Sequence, residues 1–482
     1  MMGKRRVVLA VALLALVVAV AGYEDEERWS RGRRHGGDEG GTGRREGDDW
    51  FLLQESKHVV TTDAGSMKVV KGFGGKFMQS PMHIGFITME PKSMFIPQYL
   101  DSSVILFVRR GEARVGNIYK DELVERKLKT GDIYRIGAGS AFYLINTAEG
   151  QRLHIICSIA TSQSLGHHAL FQSFYIAGGT YPTSVLAGFD HLTLSTALNV
   201  TEEEVGEMLT RQDNGPIVYL SNTTEHSPSL WSKFLDMEHD HKTAQMKRIV
   251  RIRAADDSHS DSDSQQQQST WSFRKMLVSF MEWTDKKKGS REGATTGKGP
   301  DAYNLYGRDP DFKNDYGWSM ALDEKDYSPL SHDDIGVYLV NLTAGSMMAP
   351  HINPMAIEYG IVLRGAGTIQ VVYPNGSLAM NAKVSEGEVF WIPRFFPFCQ
   401  IASRTGPFEF FGFTTSARKN WPQFLVGANS LLQTMRGPAF AAAFGLTQER
   451  MDAIIDSQRE STILPSATVA PPDEARPVKA DI

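Results

Sequence analysis

Side chains that could bind a metal ion lie close together in the C-terminal half of the chain. His351 and Glu358 are ligand types for first-row metal ions, and Asn353 between them is a weaker oxygen donor. Cys399, further along, could add a thiolate of the kind that suits zinc or copper. His351, Glu358, Asn353 and Cys399 are therefore the candidate ligands for copper or zinc, although nothing in the sequence requires a cofactor.

Strand alternation bears on whether Cys399 can join the other ligands. Neighbouring side chains of a strand point to opposite faces, so an inward Phe398 sends Cys399 outward. A bulge at Pro397 would reverse this assignment. The alternative to a metal site is that His351 hydrogen-bonds to Glu358 and the pair simply fills the interior.

The segments that must position these residues are predicted to be short strands. Runs rich in Val, Ile, Phe and Tyr are separated by Gly, Asn, Asp and Pro, which is typical of strands and turns. In the first half of the chain the runs are 103–109, 112–115, 133–136, 141–145 and 153–158; in the second half they are 335–342, 359–363, 368–372, 389–392 and 408–414. Many short strands followed by a helical tail predict a mainly β protein of barrel or jelly-roll type.

The same pattern occurs twice, which indicates two homologous modules. Thr201 begins a capping box ahead of an apolar stripe, and Thr447 precedes a matching stripe. The stripe residues lie four, seven and eight positions after each threonine: Val205, Met208 and Leu209, and Met451, Ile454 and Ile455. Each module is therefore expected to end in a helical extension.

Composition divides the chain into successive segments. These are a signal peptide (1–22), a disordered segment rich in acidic residues, Gly and Arg (23–49), a first module with its helical extension (50–253), an acidic, Gln- and Lys-rich linker (254–302), a second module with its helical extension (303–465) and a disordered tail (466–482). The apolar run 7–21 after three basic residues is short for a membrane anchor. We therefore expect the mature chain to be soluble in the secretory pathway, in a vacuole or outside the cell.

Charge and cysteine content exclude several classes of partner and of stabilising bond. The chain has 51 basic and 56 acidic residues, a balance that gives no reason to expect a nucleic acid or an anionic membrane as partner. Cys157 and Cys399 are the only cysteines, so disulfides cannot be what holds the chain together. They could pair, bind metal or remain buried as free thiols, and free burial is the expectation.

The spacing of glycines and polar residues resembles the cupin signature in both modules. In the second module Gly345, His351, Glu358, Gly365, Gly387 and Pro393 fall on signature positions; in the first, Gly131, Gly139 and Asn146 do so. Asn353 and Phe398 replace two of the histidines in the second module, and in the first the ligand positions become Pro97, Tyr99 and Val104. The resemblance implies two cupin jelly-roll β-barrels, each followed by an α-helical arm, with a degenerate first cupin.

A degenerate cupin, a variable linker and a second cupin together resemble the vicilin-like (7S globulin) seed proteins over about residues 50–465. The short sequence segments 395–398, 424–427 and 463–465 support this resemblance. It implies a nutrient reservoir in protein-storage vacuoles, assembled as a homotrimer through the helical arms. It also implies that the chain is not an enzyme, because a germin-like metalloenzyme would need the complete ligand set. The alternative is a bicupin that binds metal or a small molecule in a pocket around His351, Asn353, Glu358 and Tyr373.

Weaker candidate sites are glycosylation sequons and histidine clusters. The sequons begin at Asn199, Asn222, Asn341 and Asn375, and the last two differ in context: Asn341 lies in a predicted strand and Asn375 in a predicted turn. Turn sequence also surrounds Asn222, so Asn222 and Asn375 are the better candidates. The pair at 167–168 and the cluster at 238–241 are interpreted as solvated residues of connecting sequence.

Overall fold

The computed structural model describes residues 50–72, 82–120, 122–162, 164, 170–220 and 301–465. The expected signal peptide, the segment 23–49, the linker up to residue 300 and the tail after residue 465 lie outside these ranges. Within them, no helix combines the length and the apolar character needed to cross a bilayer.

Within the described residues, the first module has twelve strands and two α-helices. Its strands are β1 (Ser56–Thr62), β2 (Gly65–Val70), β3 (Met82–Met89), β4 (Ser93–Leu100), β5 (Val104–Arg110), β6 (Glu112–Tyr119), β7 (Glu122–Lys129), β8 (Asp132–Ile136), β9 (Phe142–Asn146), β10 (Leu153–Ala160), β11 (Ser173–Tyr175) and β12 (Ile217–Tyr219). Its helices are α1 (His191–Leu198) and α2 (Glu202–Thr210).

The second module repeats this plan with strands β13–β24 and helices α3–α5. Its strands are β13 (Tyr303–Asn304), β14 (Phe312–Asn314), β15 (Gly317–Leu322), β16 (Gly336–Leu342), β17 (Met347–Ile352), β18 (Glu358–Val372), β19 (Leu378–Ser385), β20 (Val389–Ile392), β21 (Phe398–Ala402), β22 (Phe408–Thr414), β23 (Gln423–Phe424) and β24 (Ile463–Leu464). Its helices are α3 (Leu431–Thr434), α4 (Pro438–Ala443) and α5 (Gln448–Ile455).

The strands form curled antiparallel sheets, which confirms the mainly β fold. In the first module one sheet has the order β1-β2-β3-β10-β5-β8-β13 and the other β11-β4-β9-β6-β7, with β12 added beside β4. Strand β13, from the second half of the chain, therefore extends a sheet of the first module. In the second module the path is β14-β15-β16-β22-β18-β21-β17-β23, with β19 and β20 beside β18 and β24 beside β17.

Strand β18 joins the two walls of the second barrel. Its first part pairs with β20 and β22, and its last part with β19 and β21. The register shifts between Val362 and Arg364, and Gly365 follows with φ +79°, a conformation that an L side chain rarely adopts. A Cβ at Gly365 would lie 1.8 Å from the carbonyl oxygen of Pro407. The two runs predicted as separate strands are thus one bent strand, because the glycine lets it turn without ending.

Many strands lie outside the runs predicted from the sequence, and β3 and β4, of eight residues each, are two of them. Strand β4 contains Pro97, which normally argues against a strand interior, and its register to β9 shifts between Phe95 and Gln98. The irregularity accommodates the proline. Strand β3 lies between β2 and β10 in the sheet that faces the second module.

Strand β5 is buried on both faces, which joins the cores of the two modules. Val104 and Leu106 point into the first barrel, whereas Ile105 and Phe107 belong to the core of the second module. The Phe107 ring stacks on that of Phe411, with centroids 4.0 Å apart and planes 9° from parallel. The unbroken apolar sequence of β5 follows from this two-sided burial.

Polar contacts and the residues at the start of the described chain also connect the modules. Arg135 makes a bidentate ion pair with Asp333, at 2.5 and 2.9 Å. The backbone N–H of Trp391 donates to the carbonyl of Phe51 at 2.9 Å, and its indole N–H donates to the carbonyl of Trp50 at 2.9 Å. The segment before β1 is therefore anchored on the second barrel.

The helical arms have the predicted caps and apolar stripes. Thr201 and Glu204 form the reciprocal capping box, and Thr447 accepts from the N–H of Arg450 at 3.3 Å. Val205 and Leu209 pack within their own arm against α1, and the buried residues of the α5 stripe likewise pack within their arm against α4. One residue of each stripe, Met208 in the first arm and Ile454 in the second, remains exposed.

Candidate functional site

The candidate site lies inside the second barrel, where β17 ends and β18 begins. His351 in β17 is 2% exposed, and Glu358 at the start of β18 is 7% exposed. Asn353, directly after β17, is equally buried. The structure thus brings together three of the four predicted ligands.

His351 is a neutral ring packed between aromatic side chains. Its Nδ1 donates to the carbonyl oxygen of Ala349 at 2.7 Å, and its ring centroid lies 4.1 Å from that of Phe398 and 5.2 Å from that of Phe424. Burial lowers the pKa of His351 to about 4, because the interior disfavours the imidazolium. The expected hydrogen bond from His351 to Glu358 is wrong, since a nearer backbone carbonyl takes the donor.

Glu358 ends a short chain of amide hydrogen bonds. The Nδ2 group of Asn353 donates to Glu358 Oε1, and Asn420 Nδ2 donates to Asn353 Oδ1 at 3.0 Å. Burial raises the pKa of Glu358 to about 7, and the hydrogen bond from Asn353 offsets part of that rise. Among the described residues, no basic side chain contributes to this shift. The carboxylate is therefore buried without a cationic partner.

Cys399 lies on the opposite face of β21 from the site. Phe398 and Cys399 pair with consecutive residues of β18, so the alternation is unbroken at this point. The thiol packs with Met347 and Ile401, and its Sγ lies 3.8 Å from Gln370 Oε1. The bulge that would have turned Cys399 inward is absent from this strand, and a register shift lies instead in β17 before His351.

The donor set does not fit copper or zinc. One imidazole and one carboxylate converge, whereas such an ion needs at least three protein ligands. Within the part of the chain that the structure describes, no three His, Cys, Asp or Glu side chains come together as a metal site. The described residues therefore do not supply the ligand set that such an ion needs.

A cavity of about 530 Å³ opens beside His351 and Glu358. Its inner wall includes side chains from distant strands: Met320, Tyr338, Val340, Gln400, Phe410 and Phe424. Sequence reasoning missed Tyr338 and Gln400, which carry no motif. Tyr373, which the sequence placed in such a pocket, packs instead against Phe51 and Phe396, with ring centroids 6.5 and 6.1 Å away.

Three buried polar atoms on side chains that line this cavity have no hydrogen-bond partner within the described residues. They are the hydroxyl of Tyr338, Oε1 of Gln400 and Oδ1 of Asn420. Tyr338 is 8% exposed and Gln400 is 1% exposed. Buried polar atoms are ordinarily paired, so these atoms mark places where a bound molecule would be stabilised.

The mouth of the cavity carries charges of both signs. Arg308 pairs with Asp311 and Asp326, and Lys419 stands over the ring of exposed Trp421 at 4.8 Å from its centroid. Arg308 and Lys419 thus each interact with a neighbouring side chain near the surface. The Glu358 carboxylate differs from these groups because no basic side chain among the described residues acts on it.

The first barrel is filled differently. Of its predicted ligand positions, Tyr99 stacks on Phe174 with centroids 4.9 Å apart, and Val104 is part of the apolar core. Inside the barrel the hydroxyl of Tyr134 donates to Asn117 Oδ1 at 2.6 Å. Gln98 of β4 is buried as well, and its amide has no hydrogen-bond partner within the described residues, so unpaired polar groups occur in both modules.

The remaining candidate residues are spread over the surface or lie outside the described ranges. Asn375 is exposed in the turn between β18 and β19, Asn199 is exposed at the end of α1, and Asn341 is half-buried in β16. Asn222 and the histidines at 167–168 and 238–241 lie outside the described residues. Cys157 and Cys399 are both buried free thiols.

Comparison with known proteins agrees with this architecture. A family model described as "Cupin" matches residues 53–205 and 303–452. A vicilin-like seed storage protein of Arabidopsis thaliana is 53% identical over 427 residues, covering 88% of this chain and 81% of the relative. The 63 kDa globulin-like protein of Oryza sativa subsp. japonica is 24% identical over 464 residues, covering 86% of this chain and 73% of the relative.

Solved vicilin structures have the same fold. The vicilin of hazelnut, Corylus avellana, superposes with a TM-score of 0.66 at 22% identity, covering 86% of this chain and 99% of that chain. A vicilin of Solanum melongena, reported with different anionic ligands in structurally similar pockets, gives a TM-score of 0.67 at 18% identity, covering 88% of this chain and all of that chain (100%). The cupin model matches two segments of the chain, and the Arabidopsis relative is 53% identical over 427 residues that span both. This chain therefore belongs to the vicilin-like seed storage proteins of the cupin family.

Proposed function

We infer that this chain is a seed storage globulin of the vicilin-like 7S class. The observation that carries the inference is the 53% identity over 427 residues to a vicilin-like seed storage protein, spanning both cupins. A reserve protein needs a stable fold that packs densely, and it needs no reactive centre. The joined cores of the two modules and the incomplete ligand set at His351 agree with that role.

We also propose that the chain has no enzymatic activity. The relatives named above are storage globulins, and the second barrel offers neutral His351 and a buried carboxylate rather than a metal centre. Phe398 stands at the last histidine position of the cupin ligand set, and its ring lies against His351. Chemistry of the germin type would need that position.

We further propose that the chain assembles as a homotrimer through its helical arms. Each arm exposes large apolar side chains that its own helices leave uncovered: Phe189, Leu192 and Met208 in the first arm, and Met435, Phe444 and Ile454 in the second. Leu192 is 65% exposed and Phe444 is 57% exposed. Apolar patches at two different places on one chain favour a heterologous contact that closes a ring.

The trimer is tested by the mass of the purified chain in solution. Size-exclusion chromatography with light scattering should give three times the chain mass, and Leu192→Glu with Phe444→Glu should yield monomers. The matched control is Leu378→Glu, which changes an exposed leucine outside the arms. A monomeric wild-type protein would contradict the assembly.

Delivery to the protein-storage vacuole through the secretory pathway is the remaining part of the proposal. The basic and apolar start of the chain supports entry into that pathway, with cleavage near residue 22. Quantitative mass spectrometry of protein bodies from maturing seeds should find the chain among the abundant proteins and show its loss after germination. A level that is low in the seed and constant through germination would overturn the storage role.

A further inference from the structure

The cavity of the second barrel has the chemistry of a binding site, separate from the reserve role. Its inner wall combines aromatic and apolar side chains with a few polar atoms, and its volume of about 530 Å³ is in the range of small-molecule sites. Both Tyr338 and Gln400 lie almost fully buried on this wall with an unpartnered polar atom. Leaving such atoms unpaired is costly, so a molecule that pairs with these side chains would be stabilised here.

The polar atoms of the wall select the kind of molecule. The ionised Glu358 carboxylate can only accept hydrogen bonds, whereas the Tyr338 hydroxyl and the amides of Gln400 and Asn420 each offer both an acceptor and a donor. The Glu358 carboxylate receives a hydrogen bond from Asn353 but no ion pair. An anion would be repelled here, whereas an ammonium group supplies three donors and the missing positive charge.

The walls around these acceptors suit an aromatic body. Tyr338, His351, Phe410 and Phe424 all line the cavity, and Phe424 also packs against the His351 ring. Aromatic faces attract cations as well as flat apolar groups. The mouth also carries basic side chains, of which Arg308 is paired with Asp311 and Asp326, so the preference for a cation rests on Glu358 inside the cavity. The other basic side chains are Lys325, Arg418 and Lys419.

We propose that the cavity of the second barrel binds a small aromatic amine in its cationic form, with the ammonium group at the Glu358 carboxylate and the ring between the aromatic walls. The negative charge of Glu358 is what favours a cationic ligand over a neutral or an anionic one. Gln400 and Asn420 supply further acceptors for N–H or O–H groups.

A charge series of three similar molecules tests the proposal. Tyramine is the cationic probe, tyrosol is its neutral counterpart and 4-hydroxyphenylacetate is the anionic one. Each is titrated by calorimetry into the purified full-length protein at pH 8. We expect tyramine to bind about tenfold or more tightly than tyrosol, because a hydrogen-bonded charge pair is worth that much, and we expect no binding of the anion. Equal binding of tyrosol and tyramine, tighter binding of the anion, or no binding of any probe would each overturn the proposal.

Variants locate the binding within the molecule. Glu358→Gln keeps the shape and the hydrogen bond from Asn353 but removes the charge, so tyramine affinity should fall about tenfold or more while tyrosol affinity is unchanged. Gln400→Leu removes a second acceptor and should weaken tyramine binding without touching Glu358. Glu449→Gln, at an exposed position in the second arm, is the matched control and should bind as the wild type does. Unchanged tyramine binding in Glu358→Gln would place the ligand elsewhere and contradict the proposal, whereas the storage role would stand.

Discussion

Phe107 of the first module lies face to face with Phe411 of the second, 4.0 Å between ring centroids, and both rings are fully buried. The contact joins two sheets through strands that come from opposite halves of the chain. Each half therefore completes its core with side chains of the other, so the two modules should unfold as one unit.

Truncating this pair should destabilise the whole protein. We expect Phe411→Ala to lower the free energy of unfolding by about 3–5 kcal/mol, because it removes a large apolar side chain and leaves a cavity. Urea denaturation followed by tryptophan fluorescence measures the loss. Phe395→Ala, at a phenylalanine that is 64% exposed, is the control and should change stability little. Two separate transitions in the wild type would show that the modules are independent and would contradict the coupling.

Neutralising Glu358 should stabilise the protein at alkaline pH. The folded state holds the Glu358 proton more tightly than the unfolded state, since burial raises the pKa from 4.5 to about 7. Stability from this group is present below pH 4.5 and is lost as the pH rises through about 7. Glu358→Gln should therefore be more stable than the wild type at pH 8, by about 3 kcal/mol at most.

The same variant should match the wild type at low pH. His351 has the opposite dependence, because its pKa is lowered from 6.5 to about 4 and its contribution is lost as the pH falls through that range. Both proteins keep His351, so this effect cancels in the difference. Thermal denaturation from pH 4 to pH 8 measures the difference, and a gap that does not widen with pH would contradict the assigned burial of the carboxyl group.

The two thiols should be unreactive until the protein unfolds. Burial raises the pKa of Cys157 to about 12 and that of Cys399 to about 11, so little thiolate exists at pH 8. We expect a chromogenic disulfide reagent to find no thiol in the native protein and both thiols in denaturant without reductant. Absence of free thiol in the denatured, unreduced chain would show a disulfide instead.

Asn375 should carry a glycan when the chain passes through the secretory pathway. It is exposed in a turn, and its Oδ1 accepts hydrogen bonds from Ser377, the last residue of its own sequon. The Asn375→Gln variant should migrate on a denaturing gel as a chain with one glycan fewer than the wild type. This difference in mobility should disappear after glycosidase treatment. Asn341→Gln is the control, because Asn341 is half-buried in paired strand β16 and should not be modified. A mobility shift for Asn341→Gln alone would reverse the assignment.

Local sequence rules sufficed for the features that depend on neighbours along the chain. The capping threonines of α2 and α5, the strand runs and the opposite directions of Phe398 and Cys399 all follow from spacing of a few residues. The glycine at 365 marks the bend of β18 for the same reason, since a positive φ is a local requirement. The cupin resemblance rested on these features and therefore predicted the fold class correctly.

The tertiary structure alone decided how distant groups meet. Tyr338, Glu358, Gln400 and Asn420 share one cavity because strands paired across the barrel bring them together, and no local pattern encodes that pairing. His351 likewise donates to the backbone carbonyl of Ala349, a contact that the sequence pattern did not indicate. The sequence by itself determined two cupin barrels with helical arms, whereas the packing of those barrels decided that a buried carboxylate faces an aromatic cavity without a counter-charge.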